Sequence, residues 1–139
     1  MVWDVPQTHK DLLEDPNHGV LTTIMPDGQP QSSLVWIDYD GENILINTTK
    51  ERQKGKNMMK NPKVSILVVD PQDESRFISI RGDVEITETG ARQHLDKITS
   101  KYTNKQYYGD IFPVEKQYKE TRIICKIKPK KIILDAIHK

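Results

Sequence analysis

Cysteine is nearly absent: Cys125 is the one thiol in 139 residues. That rules out disulfide stabilisation within the chain. The setting of Cys125 in the apolar run Arg122-Ile-Ile-Cys-Lys-Ile127 reads as a buried structural thiol rather than a nucleophile. No apolar run approaches the roughly 18 residues needed to span a bilayer. The start, Met1-Val-Trp-Asp-Val-Pro6, lacks a basic region followed by a signal-length apolar core. A cytoplasmic, reducing location without a membrane partner is therefore expected. An excess of either charge is also missing, with 21 lysines and arginines against 20 acidic residues and a formal net charge of +1. No global field drives such a chain onto nucleic acid or an anionic membrane, so any anion site has to be local.

Signatures of side-chain catalysis are equally scarce. The four histidines, His9, His18, His94 and His138, are scattered without metal-ligand spacing or a partner cysteine cluster, so no metal site is expected. None of the serines lies in a nucleophile elbow, and no paired-carboxylate arrangement can be assigned. Chemistry carried by a bound cofactor is favoured by these absences.

What is present points to one domain over residues 1–139. Its apolar residues are gathered in short runs, which argues against disorder of the whole chain. Thr8, with Asp11 three residues on, has the spacing of a capping box for a short opening helix that uses Leu12 and Leu13 and stops at Pro16 and Gly19. A β-meander follows: Gly19 to Met25, a turn at Pro26-Asp-Gly28, Gln31 to Tyr39, a turn at Asp40-Gly41, and Ile44 to Thr49. Lys50 to Lys60 is charged and helix-prone apart from Gly55, is halted by Asn61-Pro62, and is expected to pack through Met58 and Met59.

Val64 to Val69 and Phe77 to Ile86 read as further strands, with Gly82 marking a bulge in the second. A helix from about Thr89 to Lys101 presents Ala91, Leu95 and Ile98 to the barrel. The loop Tyr102 to Gln117 holds Tyr102, Tyr107, Tyr108 and Phe112 without periodicity, and Thr121 to Lys128 and Lys131 to Ile137 are predicted as two last strands punctuated by Pro129. The fold class expected is mainly β, an antiparallel barrel of six or seven short strands with a few short helices. On periodicity alone an oligonucleotide-binding barrel fits equally well.

The candidate site follows from one juxtaposition. Arg52, Lys54 and Lys56 come at alternate positions directly after a strand ending in Asn47-Thr48-Thr49, at a helix start. A helix N-terminus offers unpaired N–H groups and a dipole that favours anions, so cations placed there are mismatched unless something anionic is held between them. The competing reading is a solvated basic face over Lys50 to Lys60. Ser32, Ser33 and Trp36 could give one strand face hydrogen-bonding groups and an aromatic wall, or they could belong to a half-exposed strand with a core tryptophan.

The string Ile46-Asn-Thr-Thr-Lys-Glu-Arg-Gln-Lys-Gly-Lys-Asn-Met-Met-Lys-Asn-Pro-Lys-Val-Ser65, preceded by Gly28-Gln-Pro-Gln-Ser-Ser-Leu-Val-Trp-Ile37, resembles the pyridoxamine 5'-phosphate oxidase-like superfamily of flavin mononucleotide (FMN)-binding split barrels. It is most similar to the branch that uses the deazaflavin coenzyme F420, and Arg76 to Glu85 and Lys101-Tyr-Thr103 also look like features of that branch. The resemblance implies a six-stranded split barrel in a homodimer with two equivalent cofactor sites built from both chains. Arg52 and Lys54 would then grip the cofactor phosphate, with Lys56 and Asn57 as further candidates. Asn47, Thr48 and Thr49 would hydrogen-bond the phosphate or ribityl chain, Gln31, Ser32, Ser33, Val35 and Trp36 would line the ring, and the partner chain would contribute near Arg76 and Phe77.

The activity implied is hydride transfer from a reduced deazaflavin to a small unsaturated substrate. Three alternatives stand beside it. One is an FMN-dependent oxidase or reductase on the same barrel. Another is a non-enzymatic binder of flavin or tetrapyrrole. The third, a single-stranded nucleic-acid binder using Trp36 and Phe77, is disfavoured by the near-zero net charge.

Overall fold

Both Asp-Gly pairs make the turns expected of them, because each glycine takes a positive φ that other residues rarely adopt: 90° at Gly28 and 98° at Gly41. Aspartate closes each turn from the side, with Asp27 Oδ1 accepting from Gln29 N–H and Asp40 Oδ1 accepting from the N–H groups of Glu42 and Asn43. The computed structural model describes residues 4–105, 108 and 119–136. A 3-10 turn, Gln7–His9, leads into α1 (Lys10–Glu14). After it come β1 (Gly19–Ile24), β2 (Pro30–Val35), β3 (Asp38–Tyr39), β4 (Ile44–Thr49), α2 (Gln53–Lys60), β5 (Lys63–Val69), β6 (Phe77–Thr87), α3 (Ala91–Tyr102) and β7 (Arg122–Leu134).

The seven strands form one antiparallel sheet in the order β2-β1-β5-β6-β7-β4-β3. Its two end strands, β2 and β3, are consecutive in the chain and joined only through Trp36 and Ile37. Val35 and Asp38 are three Cα steps apart, at most about 11 Å, whereas the margins of a flat seven-stranded sheet would lie about 29 Å apart. The sheet therefore has to curl until its margins meet, which makes a split barrel whose seam is the Trp36-Ile37 corner.

That corner divides the single strand expected over Gln31 to Tyr39 into β2 and β3. The end of α3 pins it. Ile37 N–H donates to Tyr102 Oη at 3.0 Å, Lys101 Nζ donates to the carbonyls of Ile37 and Leu13 at 2.9 Å each, and the Trp36 ring stacks on Tyr102 at 5.2 Å and 7°.

The interior is aliphatic and alternates along every long strand, with Leu21, Ile44, Ile46, Ile66, Val68, Ile78, Ile80, Ile123 and Ile127 all buried. Each such side chain contributes roughly 1.5–3 kcal/mol by leaving water. Leu12 and Leu13 from α1 and Met58 from α2 belong to the same core. Met59, expected beside Met58, is 46% exposed.

β7 runs unbroken through Pro129, where two strands were expected. Arg81 faces Lys131 while Gly82 faces Pro129, so Lys130 is the extra residue of a bulge. The bulge shifts the inward phase from Ile123, Cys125 and Ile127 to Ile132 and Leu134. A Cβ on Gly82 would come within 2.3 Å of the Lys128 carbonyl oxygen, which accounts for glycine at that position.

The opening helix differs from expectation in its cap. Thr8 Oγ1 is bonded to His9 Nδ1 at 2.9 Å and makes no cap, and Asp11 is paired with Arg76. Tyr107 and Phe112 of the aromatic loop, and the Ile137 end of the predicted last strand, lie outside the described residues. No helix among the described residues is long and apolar enough to cross a membrane.

Cys125 is fully buried, and burial pushes its thiol up to about 12. The native protein is therefore expected to resist iodoacetamide at pH 8 and to react fully once unfolded, as mass spectrometry of the alkylated chain would show. Fast labelling under native conditions would contradict this packing.

A candidate anion site at the sheet seam

β4 delivers Asn47, Thr48 and Thr49 to one end of the barrel, and the chain then turns into α2. Lys50 N–H continues the β4–β7 ladder by donating to the Thr121 carbonyl at 3.0 Å, and Thr49 Oγ1 accepts from Arg52 N–H at 3.2 Å. Arg52 is the residue that caps α2, with extended backbone angles and no side-chain cap bond. Gly55 lets the helix sit against the strand it came from, since a Cβ there would lie 2.0 Å from the Thr49 carbonyl oxygen. On the neighbouring strand, Arg122 pairs with Thr49 and so enters the same space from β7. Between these elements and the end of β2 lies a cavity of about 400 Å³, with Val35, Trp36, Asn47, Thr48, Arg52, Lys54 and Arg122 in its wall together with His18, Leu34, Leu95 and Tyr108.

The charges in that wall do not balance. Arg122 is 8% exposed. One of its amino groups donates to Asn47 Oδ1 at 3.3 Å, its ring neighbour is Tyr108 at 4.9 Å, and its Nη2 has no hydrogen-bond partner among the described residues. Glu120 is the shared counter-ion, at 3.7 Å from Arg122 and 3.8 Å from Arg52, too far to hydrogen-bond either. Thr48 Oγ1 is likewise buried without a partner. Burial, and then the Arg52 charge, lower the affinity of the Lys54 ammonium and of the Arg122 guanidinium for their protons.

Among the described residues, three cations stand beside one carboxylate, an excess of two positive charges. Three buried polar atoms, Thr48 Oγ1, Arg122 Nη2 and the acceptor Glu120 Oε2, also lack, among the described residues, the partners that buried polar groups almost always have. A phosphate monoester carries close to two negative charges at neutral pH and several strong acceptor oxygens. It fits this wall in both charge and hydrogen-bonding capacity.

Of the residues expected at the site, Asn47, Thr48, Arg52, Lys54, Val35 and Trp36 come together around this cavity. Thr49 is fully buried, with its hydroxyl engaged by the Arg52 amide. Lys56 is exposed on α2 outside the cavity wall. Asn57 works as a clasp: its amide nitrogen donates to Thr23 Oγ1, Met25 Sδ and Gln31 Oε1, and its oxygen accepts from Gln53. Gln31, Ser32 and Ser33 do not line the cavity within one chain, and Ser32 Oγ is bonded to Thr22 Oγ1 at 2.8 Å. Arg76 and Phe77 lie elsewhere. The Arg76 guanidinium is held between Asp11 and Asp70, and Phe77 N–H donates to Asp135 Oδ1.

Arg122 was missed by sequence reasoning. An arginine leading an Ile-Ile run offers a weak signal, and its place in the site depends on the long-range register with Thr49.

A family model described as pyridoxamine 5'-phosphate oxidase matches residues 5–134. Pyridoxine/pyridoxamine 5'-phosphate oxidase of Nostoc punctiforme is 33% identical over 86 residues, which cover 60% of this chain and 40% of that protein. The Rhizobium meliloti enzyme of the same name is 32% identical over 81 residues, covering 58% and 39%. The match thus spans about two fifths of the length of these curated relatives. Among solved structures, an F420 reductase superposes with a TM-score of 0.78 at 32% identity, covering 93% of this chain and 98% of that one. A conserved hypothetical protein from Mycobacterium tuberculosis superposes with a TM-score of 0.69 at 28% identity, covering 93% and 84%.

Proposed function

Because the chain belongs to the pyridoxamine 5'-phosphate oxidase family, we propose that it is an oxidoreductase that holds coenzyme F420 by its phosphate and reduces a small unsaturated substrate. The observation that carries this reading is the gathering of Arg52, Lys54 and Arg122 around one cavity whose wall also buries Arg122 Nη2 and Thr48 Oγ1 without partners among the described residues. Similarity to the F420 reductase over nearly the full length of both chains supports the deazaflavin. The family description keeps FMN as the second reading, since its phosphate would meet the same wall.

When bound, the deazaflavin supplies a hydride. The chain's own residues anchor and orient it. Arg52, Lys54 and Arg122 would neutralise the phosphate, with Thr48 Oγ1 as a further donor to it. Trp36, already stacked on Tyr102, offers a rigid aromatic face beside Val35 for the ring. Holding a planar donor at fixed distance and angle from its acceptor is the protein's main catalytic contribution in such a site. The proton that completes reduction of the acceptor would come from solvent or a nearby hydroxyl.

Leu34 is 67% exposed on β2, at the margin of the sheet. A second copy of the chain covering that margin would complete a homodimer.

Titrating the cofactor-free protein with coenzyme F420 and FMN in parallel tests the reading, and the tighter ligand names the cofactor. Lys54→Ala is expected to weaken that binding about ten-fold, the loss of one charge-assisted hydrogen bond. Binding of neither cofactor, or unchanged affinity in a folded Lys54→Ala protein, would overturn the assignment. Tight binding with no acceptor reduced across a broad panel would favour a non-enzymatic cofactor binder.

A further inference from the structure

Asn47 has its side-chain amide held in one orientation by three partners. Its Nδ2 donates to the Ala91 carbonyl at 2.7 Å and to His94 Nδ1 at 3.2 Å, while its Oδ1 accepts from Arg122 Nη1 at 3.3 Å. A carbonyl oxygen only accepts and a guanidinium only donates, so turning the amide over would set its NH2 group against Arg122 and its oxygen against Ala91 O. Since Asn47 donates to Nδ1, that nitrogen of His94 carries the lone pair and the ring proton sits on Nε2. Nε2–H in turn donates to Asp38 Oδ2 at 3.0 Å.

Asp38 is buried and receives three donors: His94, Lys97 Nζ at 3.2 Å and the N–H of Tyr39 at 2.9 Å. Burial on its own would raise the Asp38 carboxyl, but the hydrogen bonds from His94 and Lys97 bring it down to about 2. The carboxylate is thus a fixed negative anchor. A directed chain of donors and acceptors runs from Asp38 on β3, through His94 on α3 and Asn47 on β4, to Arg122 on β7.

We infer that Asp38 and His94 are positioning residues for Arg122: they lock Asn47 so that it takes Nη1 of the guanidinium and leaves Nη2, which has no hydrogen bond to Glu120 at 3.7 Å, for the phosphate. The inference rests on the phosphate reading of that site. An arginine side chain has many rotamers to lose, and a guanidinium already held in its binding conformation spends less of the ligand's interaction on being ordered. The bland alternative is that His94 merely ties α3 to the sheet through Asp38.

Two substitutions separate these roles, because asparagine places an oxygen near the former Nδ1, whereas glutamine places its amide near the former Nε2. His94→Asn keeps an acceptor for Asn47 and gives up Asp38. His94→Gln keeps the link to Asp38 and gives up the acceptor. Binding of inorganic phosphate, followed by calorimetry, is expected to stay within about two-fold of wild type in His94→Asn and to weaken about five-fold in His94→Gln, the net worth of one hydrogen bond. The nitrogen-15 resonance of the Arg122 side chain should shift in His94→Gln even without phosphate.

A tether alone predicts wild-type phosphate affinity and an unmoved Arg122 resonance in both variants, and equal losses in the two would also overturn the inference. Asp38 acts only through the imidazole: Asp38→Asn lets the ring take the other tautomer, with its proton facing the Asn47 amide. It should therefore weaken phosphate binding although His94→Asn, which brings its own acceptor, does not, and wild-type affinity in Asp38→Asn would count against the relay. If wild-type protein fails to bind phosphate, the reading of the site falls, while the Arg122 resonance still reports whether His94 positions it.

Discussion

Replacing Arg122 with methionine is expected to weaken binding of the phosphate-bearing cofactor about a hundred-fold while leaving the cofactor-free protein no less stable. The binding loss follows from geometry. The guanidinium is buried in the cavity wall with an unpartnered Nη2 and can give a phosphate two charge-assisted hydrogen bonds, each worth about 1.5–3 kcal/mol.

The stability half of the expectation comes from the same facts read in the absence of ligand. Burial and the neighbouring Arg52 both disfavour the charged guanidinium, and Glu120 sits too far away to hydrogen-bond it. Removing one partner of a buried ion pair usually destabilises, but Glu120 keeps Arg52 at 3.8 Å and the exchange takes away one of the crowded cations. Asn47 Oδ1 loses a partner in the exchange, at a cost of about 1 kcal/mol, which the relief of repulsion offsets. Calorimetric titration and thermal melts of the two proteins check both halves. A variant that binds normally, or one that unfolds, would show that Arg122 serves the fold instead.

Gly55→Ala is expected to destabilise the protein by about 1–3 kcal/mol and to weaken cofactor binding at least ten-fold. In an exposed helix the same change would stabilise by roughly 0.5–1 kcal/mol, because alanine is the better helix former. Here the sign reverses, since the new methyl would lie 2.0 Å from Thr49 O and 3.0 Å from Thr49 C. These are backbone atoms of β4 and have no rotamer to change, so α2 would have to back away by about 1 Å to restore van der Waals distance. Arg52 and Lys54 would move with it, away from Thr48 and Arg122, and binding constellations tolerate only about 0.5 Å of such drift. A lower melting temperature together with weakened binding of coenzyme F420 or FMN is the expected result. A neutral or stabilising outcome would mean that α2 is not seated against β4 as described.

Local pattern carried most of the strands and two of the three cations. Asp-Gly turns and β-branched runs mark β1, β4, β5 and β6 because those features act over a few residues. Arg52 and Lys54 stand out because a strand end and a helix start are both visible nearby. What local pattern could not show depends on distant partners. Trp36 and Ile37 continue an apolar strand in the sequence and are bent into a corner by Tyr102 and Lys101, more than 60 positions away. Pro129 reads as a break because it lacks an N–H, and it is accommodated by a bulge opposite Gly82 that only pairing with β6 reveals. Arg122 joins the site through its register with Thr49, and Asn57 leaves it because its amide is spent on β1 and β2. Thr8 had the right spacing for a cap, but its hydroxyl is taken by the adjacent His9 ring.

The location of the cavity at the seam has a mechanical consequence. Val35 and Trp36 belong to one margin of the curled sheet, while Asn47, Thr48 and Arg122 come from the two strands just inside the other, and no strand-to-strand ladder joins β2 to β3. A cofactor gripped at its phosphate on one side and stacked by its ring on the other would act as a hasp across that opening. Unfolding that starts by peeling the margins apart would have to expel the ligand first. At a free concentration a hundred times its Kd, the ligand would make that opening about 2.7 kcal/mol harder.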